Sequence, residues 1–171
     1  FESKILKNEM EIWSRSWDNI NGGESQNQKF IVPVKFNYIQ QFQHLNKDEK
    51  ISNYFQKSLI NISLSGIVDH LEGGFYRYTV DPEWKIPHFE KMLYDNAQIL
   101  TLYSNAYKEF KKPLFKSTVD KTFSFLQNRM KNSEGGYFSA IDADNNEGEG
   151  HYYIFNKDEI IMWLVMILNY Y

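Results

Sequence analysis

Three pairs of adjacent glycines, Gly22/Gly23, Gly73/Gly74 and Gly135/Gly136, recur at intervals of about 50 to 60 residues, a period expected of stacked supersecondary units. They sit in "WDNINGGES", "HLEGGFYRY" and "NSEGGYFSA". A first glycine that ends a helix in the left-handed conformation and a second that lets the chain double back explain such pairs structurally; close approach to a ligand is the alternative. Connection lengths alternate as well. "LNKD" at 45–48 and "FKKP" at 110–113 are tight enough for antiparallel helix pairs, whereas 18–32, 72–87 and 132–156 are long. All long connections must then share one end of a bundle. The repeated unit reads outer helix, glycine-aromatic loop, inner helix, tight turn.

Apolar spacing predicts helices near 1–17, 32–45, 47–71, 88–110, 113–131 and 157–169. The segment from Pro113 carries Phe115, Val119, Phe123, Leu126 and Met130 on one face, the pattern of an outer helix. The segment from His88 has apolar residues around its whole circumference, including Leu93, Tyr94, Ala97, Ile99, Leu100 and Leu102, as an inner helix requires. Segment 32–45 is assigned to the inner layer too, and 47–71 shows an intermediate, broad stripe. "FYRYTV" and "EGHYYIF" are aromatic and β-branched enough to form small hairpins over the bundle end. The expected fold class is all-α with minor β, in one domain over residues 1–171.

Composition narrows the function. With 171 residues, 42% of them hydrophobic and 24% charged, the chain is a soluble globular one. Net charge is −3 and the basic residues are scattered, so nucleic acid is not an expected partner. The absence of cysteine excludes disulfides, thiolate catalysis and cysteine-ligated zinc. No signal peptide opens the chain, and "FESKILKNEMEIWSRSW" reads as the middle of an amphipathic helix. An upstream part and a cytoplasmic location are the expectations. Residues from Ile160 to Tyr171 are apolar over about half the length a bilayer demands, so a core helix is expected there and no membrane association.

Polar residues gather in the second loop, "GGFYRYTVDPEWKIPHFEKMLYDNA". If Pro87 starts the inner helix, His88, Glu90 and Lys91 occupy its first turn, whose free N–H groups favour anionic ligand groups. Asp95 and Asn96 follow within an otherwise apolar helix. They either tie the glycine turn to the helix or meet a ligand, Asp95 as a buried carboxylate with a raised pKa. His88 either caps and packs or serves as an acid-base group. Arg77 either pairs with Asp81 or Glu83 or grips an anionic substrate group. Tyr76, Tyr78 and Trp84 are either loop core or stacking faces for a sugar ring. The third loop adds Asp142, Asp144, Glu147, Glu149 and His151; a carboxylate from this loop facing His88 across the bundle end is the arrangement that acid-base chemistry on a carbohydrate needs, and sequence does not show that the two meet. It lacks the spacing of a calcium loop, so no metal and no cofactor is expected. Asn61 heads a glycosylation sequon but falls inside a predicted helix.

The runs "GGFYRYTVDPEWKIPHFEKMLYDNAQ" and "GGYFSAIDADNNEGEGHYYIFNKDEI" resemble two consecutive motifs of the YyaL-like, thioredoxin-domain-containing family, which includes the spermatogenesis-associated homologues. The resemblance covers most of residues 55 to 160. It implies a toroid of six helical hairpins, similar in shape to N-acylglucosamine epimerases and six-hairpin glycosidases, placed after a thioredoxin-like domain. About three hairpins are present here, the thioredoxin-like cysteines are not, and the end after Ile160 departs from the family pattern. What the resemblance implies for function is an epimerase- or hydrolase-like domain acting on a sugar or related polyhydroxy compound. His88, Asp95 and Asp142 would then move protons, and Arg77, Tyr78, Trp84, Glu90, Lys91, Asn96, Asp144 and His151 would bind substrate. A non-catalytic binding or scaffold domain is the alternative. Self-association through the exposed ends of the incomplete ring is also expected.

Overall fold

Prolines and an aspartate set the helix starts. Pro33 and Pro113 occupy first-turn positions, where a missing N–H costs nothing, and the Asp48 side chain accepts the Ile51 N–H at 3.0 Å. The computed structural model describes residues 3–168. Its helices are α1 (Ser3–Ser14), α2 (Pro33–Asn46), α3 (Glu49–Ser63), α4 (Leu93–Phe110), α5 (Pro113–Phe125) and α6 (Lys157–Leu168). Short strands lie between them: β1 (Lys29–Phe30), β2 (Tyr78–Thr79), β3 (Pro87–His88), β4 (Lys91–Met92), β5 (Ala140–Ile141), β6 (Asp144–Asn145) and β7 (Gly148–Glu149). The tight turns after α2 and α4 close through Lys47 and Lys111, both left-handed at φ 52° and 55°.

The helices form two layers. The inner pair α2 and α4 pack on each other, while α3 lies against α2 and α5 against both α4 and α3. The apolar stripe of each faces the space between layers: Phe36 and Ile39 from α2, Phe55, Leu59 and Ile62 from α3, Leu102 and Ala106 from α4, Phe115 from α5. Each of the larger side chains contributes roughly 1.5–3 kcal/mol by leaving water. α1 and the turn after it lean on α2 and α3: Trp13 of α1 lies beside Tyr38, and Trp17 beyond its end stacks on Tyr54 at 3.9 Å.

All three long connections meet at one end. The antiparallel sheet β1–β2–β3 joins the first loop to the second, with Phe30 opposite Tyr78 and Tyr78 opposite His88. β4 pairs with β5 and joins the second loop to the third, and β6–β7 is a hairpin within the third. The layering and the shared loop end thus follow the alternation of connection lengths.

Several boundaries differ from the periodicity reading. α3 stops at Ser63 rather than 71, because Gly66 lies against the Lys85 carbonyl with no room for a side chain and Asp69 begins a turn. α4 starts at Leu93 rather than 88. Pro87–His88 and Lys91–Met92 are strands instead, and sheet pairing takes up backbone groups that a helix start would leave free. α5 ends at Phe125 and continues as a π-helical turn, Leu126–Met130. α4 buries Ile99, Leu102, Tyr103 and Ala106 but exposes Tyr94, Ala97 and Thr101, so it is covered on one side and not around its circumference. α6 is not core: every residue from Ile160 to Ile167 is between 46% and 60% exposed. The expected continuation at Asn169 and the first two residues of the expected helix 1–17 lie outside the described residues. No described helix is long and apolar enough to cross a membrane.

The two kinds of glycine turn separate experimentally. Gly73, at φ +85°, would place a Cβ 2.5 Å from the Lys121 carbonyl oxygen, whereas Gly135, at φ +90°, faces open space. Gly135→Ala is expected to cost about 1 kcal/mol of left-handed strain, and Gly73→Ala about 2 kcal/mol more because backbone must move. Urea unfolding of the two variants checks this; equal costs contradict the packing.

Candidate functional site

The first two glycine turns are built alike. An aspartate stands four residues ahead of the first glycine, Asp18 before Gly22 and Asp69 before Gly73. One carboxylate oxygen accepts two loop amides, those of Ile20 and Asn21 in the first loop and of Leu71 and Glu72 in the second, all at 2.9–3.0 Å. The other oxygen takes a lysine. Lys29 Nζ lies 2.5 Å from Asp18 Oδ2 and 2.8 Å from the Gly22 carbonyl; Lys91 Nζ lies 2.7 Å from Asp69 Oδ2 and 3.0 Å from the Gly73 carbonyl. The lysine side chains are 2% and 0% exposed. Aromatic faces complete the cage: Trp84 over Lys29, and Tyr76, Phe125 and Tyr153 within 5.1 Å of the Lys91 ammonium. Burial opposes ionisation of Asp18, but Lys29 and the loop amides outweigh it and bring the carboxyl down to about 2. Asp69 is likewise lowered against its burial by Lys91. Burial lowers the Lys91 ammonium, and Asp69 restores part of that loss. In the third turn Asn132 replaces the aspartate, accepting from Glu134 and Gly136 N–H with no charge to pair.

This frame presents β3 to solvent. His88 stacks on Tyr78 with centroids 4.8 Å apart and planes at 18°, and Tyr78 meets Phe30 at 4.8 Å with planes tilted by 32°. The His88 Nδ1 lies 2.6 Å from Glu149 Oε1 of β7, and Nε2 lies 3.8 Å from Glu90 Oε2. Glu90 in turn accepts from Arg77 Nη1 at 2.9 Å. The side chain of His88 is 25% exposed, that of Arg77 40%. Beside them in the first turn of α4, burial raises the Asp95 carboxyl to about 6; the Arg77 charge opposes this and the Glu90 charge adds to it. With Nδ1 bonded to Glu149, Nε2 is the ring nitrogen left to meet a ligand, the arrangement of an oriented acid-base group.

The residues singled out from sequence divide into three groups. Arg77, Tyr78, His88, Glu90 and Asp95 come together. Trp84, Lys91 and Asn96 are sealed within the frame: Trp84 is 1% exposed and donates to the Gly22 carbonyl, and Asn96 exchanges hydrogen bonds with both backbone groups of Phe75. Their side chains are therefore occupied by the protein itself and offer no face to a substrate. Asp142, Asp144 and His151 are exposed and bonded within their own loop, Asp142 to the Asp144 N–H and His151 to Glu147. A third-loop carboxylate does face His88, but it is Glu149, because the β6–β7 hairpin turns the chain back before the contact is made. Arg77 pairs with Glu90 rather than with Asp81 or Glu83; Asp81 instead accepts three amides of its own loop. The cavity of about 640 Å³ at this end lies on the other side of β3, between Pro87, Phe89, Tyr76 and Trp163, and His88 does not line it.

Asp95 gives the site a pH signature. Its folded pKa of about 6 lies above the ordinary 3.8, so the native state binds this proton more tightly than the unfolded chain. The corresponding stability is fully present below about pH 4 and is lost as pH rises through 6. Asp95→Asn has no proton to lose, so its melting temperature relative to the unaltered protein is expected to climb between pH 4 and pH 7. A flat difference across that range contradicts the assignment.

Comparisons with known proteins bear on this geometry. No family model matches the chain. It is 35% identical over 158 residues to an uncharacterised protein of Caenorhabditis elegans, covering 85% of this chain and 22% of that protein. It is 30% identical over 157 residues to spermatogenesis-associated protein 20 of Mus musculus, covering 84% of this chain and 20% of that one. The chain thus spans about a fifth of the length of the curated relatives it matches. In fold it is similar to cellobiose 2-epimerase from Spirochaeta thermophila, with TM-score 0.68 and 16% identity over 78% of this chain and 36% of that one. It is also similar to a family 76 glycoside hydrolase from a bovine Bacteroides thetaiotaomicron strain, with TM-score 0.66 and 16% identity over 86% and 33% of the two chains. By sequence the chain is therefore similar to a segment of spermatogenesis-associated protein 20, and by fold to sugar-acting epimerases and glycosidases.

Proposed function

We propose that the chain supplies about three hairpins of a six-hairpin (α/α) toroid whose loop end binds a sugar or related polyhydroxy compound and moves a proton on it. The observation that carries this reading is His88, fixed at Nδ1 by Glu149 and partly open to solvent at the meeting point of the loops. In this role Nε2 takes the proton from the carbon next to the sugar carbonyl, and the Arg77 guanidinium steadies the negative charge that develops on the oxygen. Asp95, with its raised pKa, is the second group able to hold or return a proton near neutral pH. The fold similarity to an epimerase and a glycosidase supports the substrate class, and the assignment to this chain rests on the cluster. A binding or scaffold domain without chemistry is the second reading. It is favoured by Trp84, Lys91 and Asn96, whose polar groups are used up inside the frame.

Deuterium exchange at the carbon next to the carbonyl of glucose or cellobiose, followed by NMR in D₂O with the full-length protein, separates the two. The expected result is exchange that falls about 100-fold or more in His88→Ala and about 10- to 100-fold in Glu149→Gln, with melting temperatures little changed. Sugar binding without exchange selects the scaffold reading, and exchange that survives His88→Ala contradicts the role given to that residue.

A further inference from the structure

The ladder His88–Tyr78–Phe30 crosses the sheet from β3 to β1 in two steps of 4.8 Å. Its far ring, Phe30, is 43% exposed and borders a second cavity, of about 170 Å³, beside the first glycine loop. That is below the range of about 300–1,000 Å³ usual for whole ligand sites, so it has room for one ring-sized group. Its walls combine aromatic faces with paired polar groups. Trp13, Trp17 and Phe30 line it, together with Glu24 and Lys35. Glu24 accepts from Trp13 Nε1 at 2.8 Å and from Lys35 Nζ at 2.6 Å, which holds a carboxylate and an ammonium side by side. Trp17 is 7% exposed, and its Nε1 is a buried donor with no protein partner among the described residues. Flat rings for the apolar face of a sugar, a carboxylate and an ammonium for neighbouring hydroxyls, and an unspent N–H are what recognition of a polyhydroxy ring requires. Apart from Phe30, which ends the ladder, none of these groups touches the His88 cluster.

We propose that this first-loop cavity is a distal subsite for a second sugar unit, so that the preferred ligand is a disaccharide or longer chain whose reacting end lies at His88. The inference rests on the proposed function, and it assigns Phe30, Glu24 and Lys35 as chain-length determinants. The two steps of the ladder together separate His88 from the ring that borders the cavity, which places the cavity beyond the reach of a single ring held at His88.

The test is calorimetric titration of the full-length protein with two matched pairs, glucose with cellobiose and mannose with mannobiose. In at least one pair the disaccharide is expected to bind about tenfold tighter or better, a difference of 1.4 kcal/mol. Phe30→Ala and Lys35→Gln, both at partly exposed positions, are each expected to bring that ratio close to one. A ratio near one in the unaltered protein, or a ratio that both variants leave intact, overturns the subsite while leaving the His88 reading standing. Failure of all four sugars to bind overturns the subsite and the sugar reading together.

Discussion

The buried Lys91–Asp69 pair, echoed by Lys29–Asp18, is the constraint on which the loop end depends. Removing two charges from water costs several kcal/mol for each, and their attraction repays this only when every remaining hydrogen-bonding group is also satisfied. Here each aspartate spends one oxygen on two loop amides and the other on the lysine, and each lysine adds a glycine carbonyl and lies over aromatic faces. Lys29 and Lys91 stand just ahead of the inner helices α2 and α4. The pairs therefore weld each glycine turn, which ends an outer helix, to the start of the inner helix that follows. A buried pair of this kind adds little net stability over an apolar replacement; what it fixes is position.

Position is what the site needs. His88 precedes Lys91 by three residues, and the short segment between them has two faces. Phe89 turns inward, against Tyr76 and stacked on Tyr153 at 5.3 Å, while Gly150 passes so close to its ring that a side chain there would collide. His88 and Glu90 turn outward, toward Glu149 and Arg77. The inward face anchors the third loop over the second, and that anchorage brings Glu149 to His88 Nδ1. Arg129 and Tyr152, both bonded to Glu72, hold the same loop from the other side. Frame and reactive cluster are thus adjacent in sequence but differ in burial: Lys91 and Asn96 are fully enclosed, whereas His88 and Arg77 keep part of their surface in water.

The architecture was legible because helix spacing and loop length are local properties. The glycine pairs, the tight turns at Lys47 and Lys111, and the one-faced stripe of α5 each point to the layered arrangement without reference to distant residues. The start of α4 differs from the sequence expectation because a proline followed by polar residues suits a helix N-terminus as well as an edge strand, and only the partner strand β2 decides between them. Lys91 and Asn96 carry the chemistry of ligand groups, and the partners that consume them, Asp69 and Phe75, lie 22 and 21 residues away. A signal for the clamp was nevertheless present, since Asp18 and Asp69 stand at the same distance before their glycines. Glu149 could be recognised only as one carboxylate among several, because the hairpin that selects it depends on pairing within the third loop. The apolar run of α6 reads as core by composition, yet Ile160 to Ile167 stay about half exposed, with Trp163 edge-on to Phe155.

A double-mutant cycle on Asp69 and Lys91 tests the clamp most directly. Unfolding free energies are measured for the unaltered protein, Asp69→Asn, Lys91→Met and the double variant. The account requires each single variant to lose about 3–5 kcal/mol, since a lone buried charge is left behind, and the double variant to lose much less than their sum. Hydrogen exchange at the Leu71 and Glu72 amides should accelerate in both single variants. Additive losses within about 0.5 kcal/mol, with those amides still protected, would contradict it.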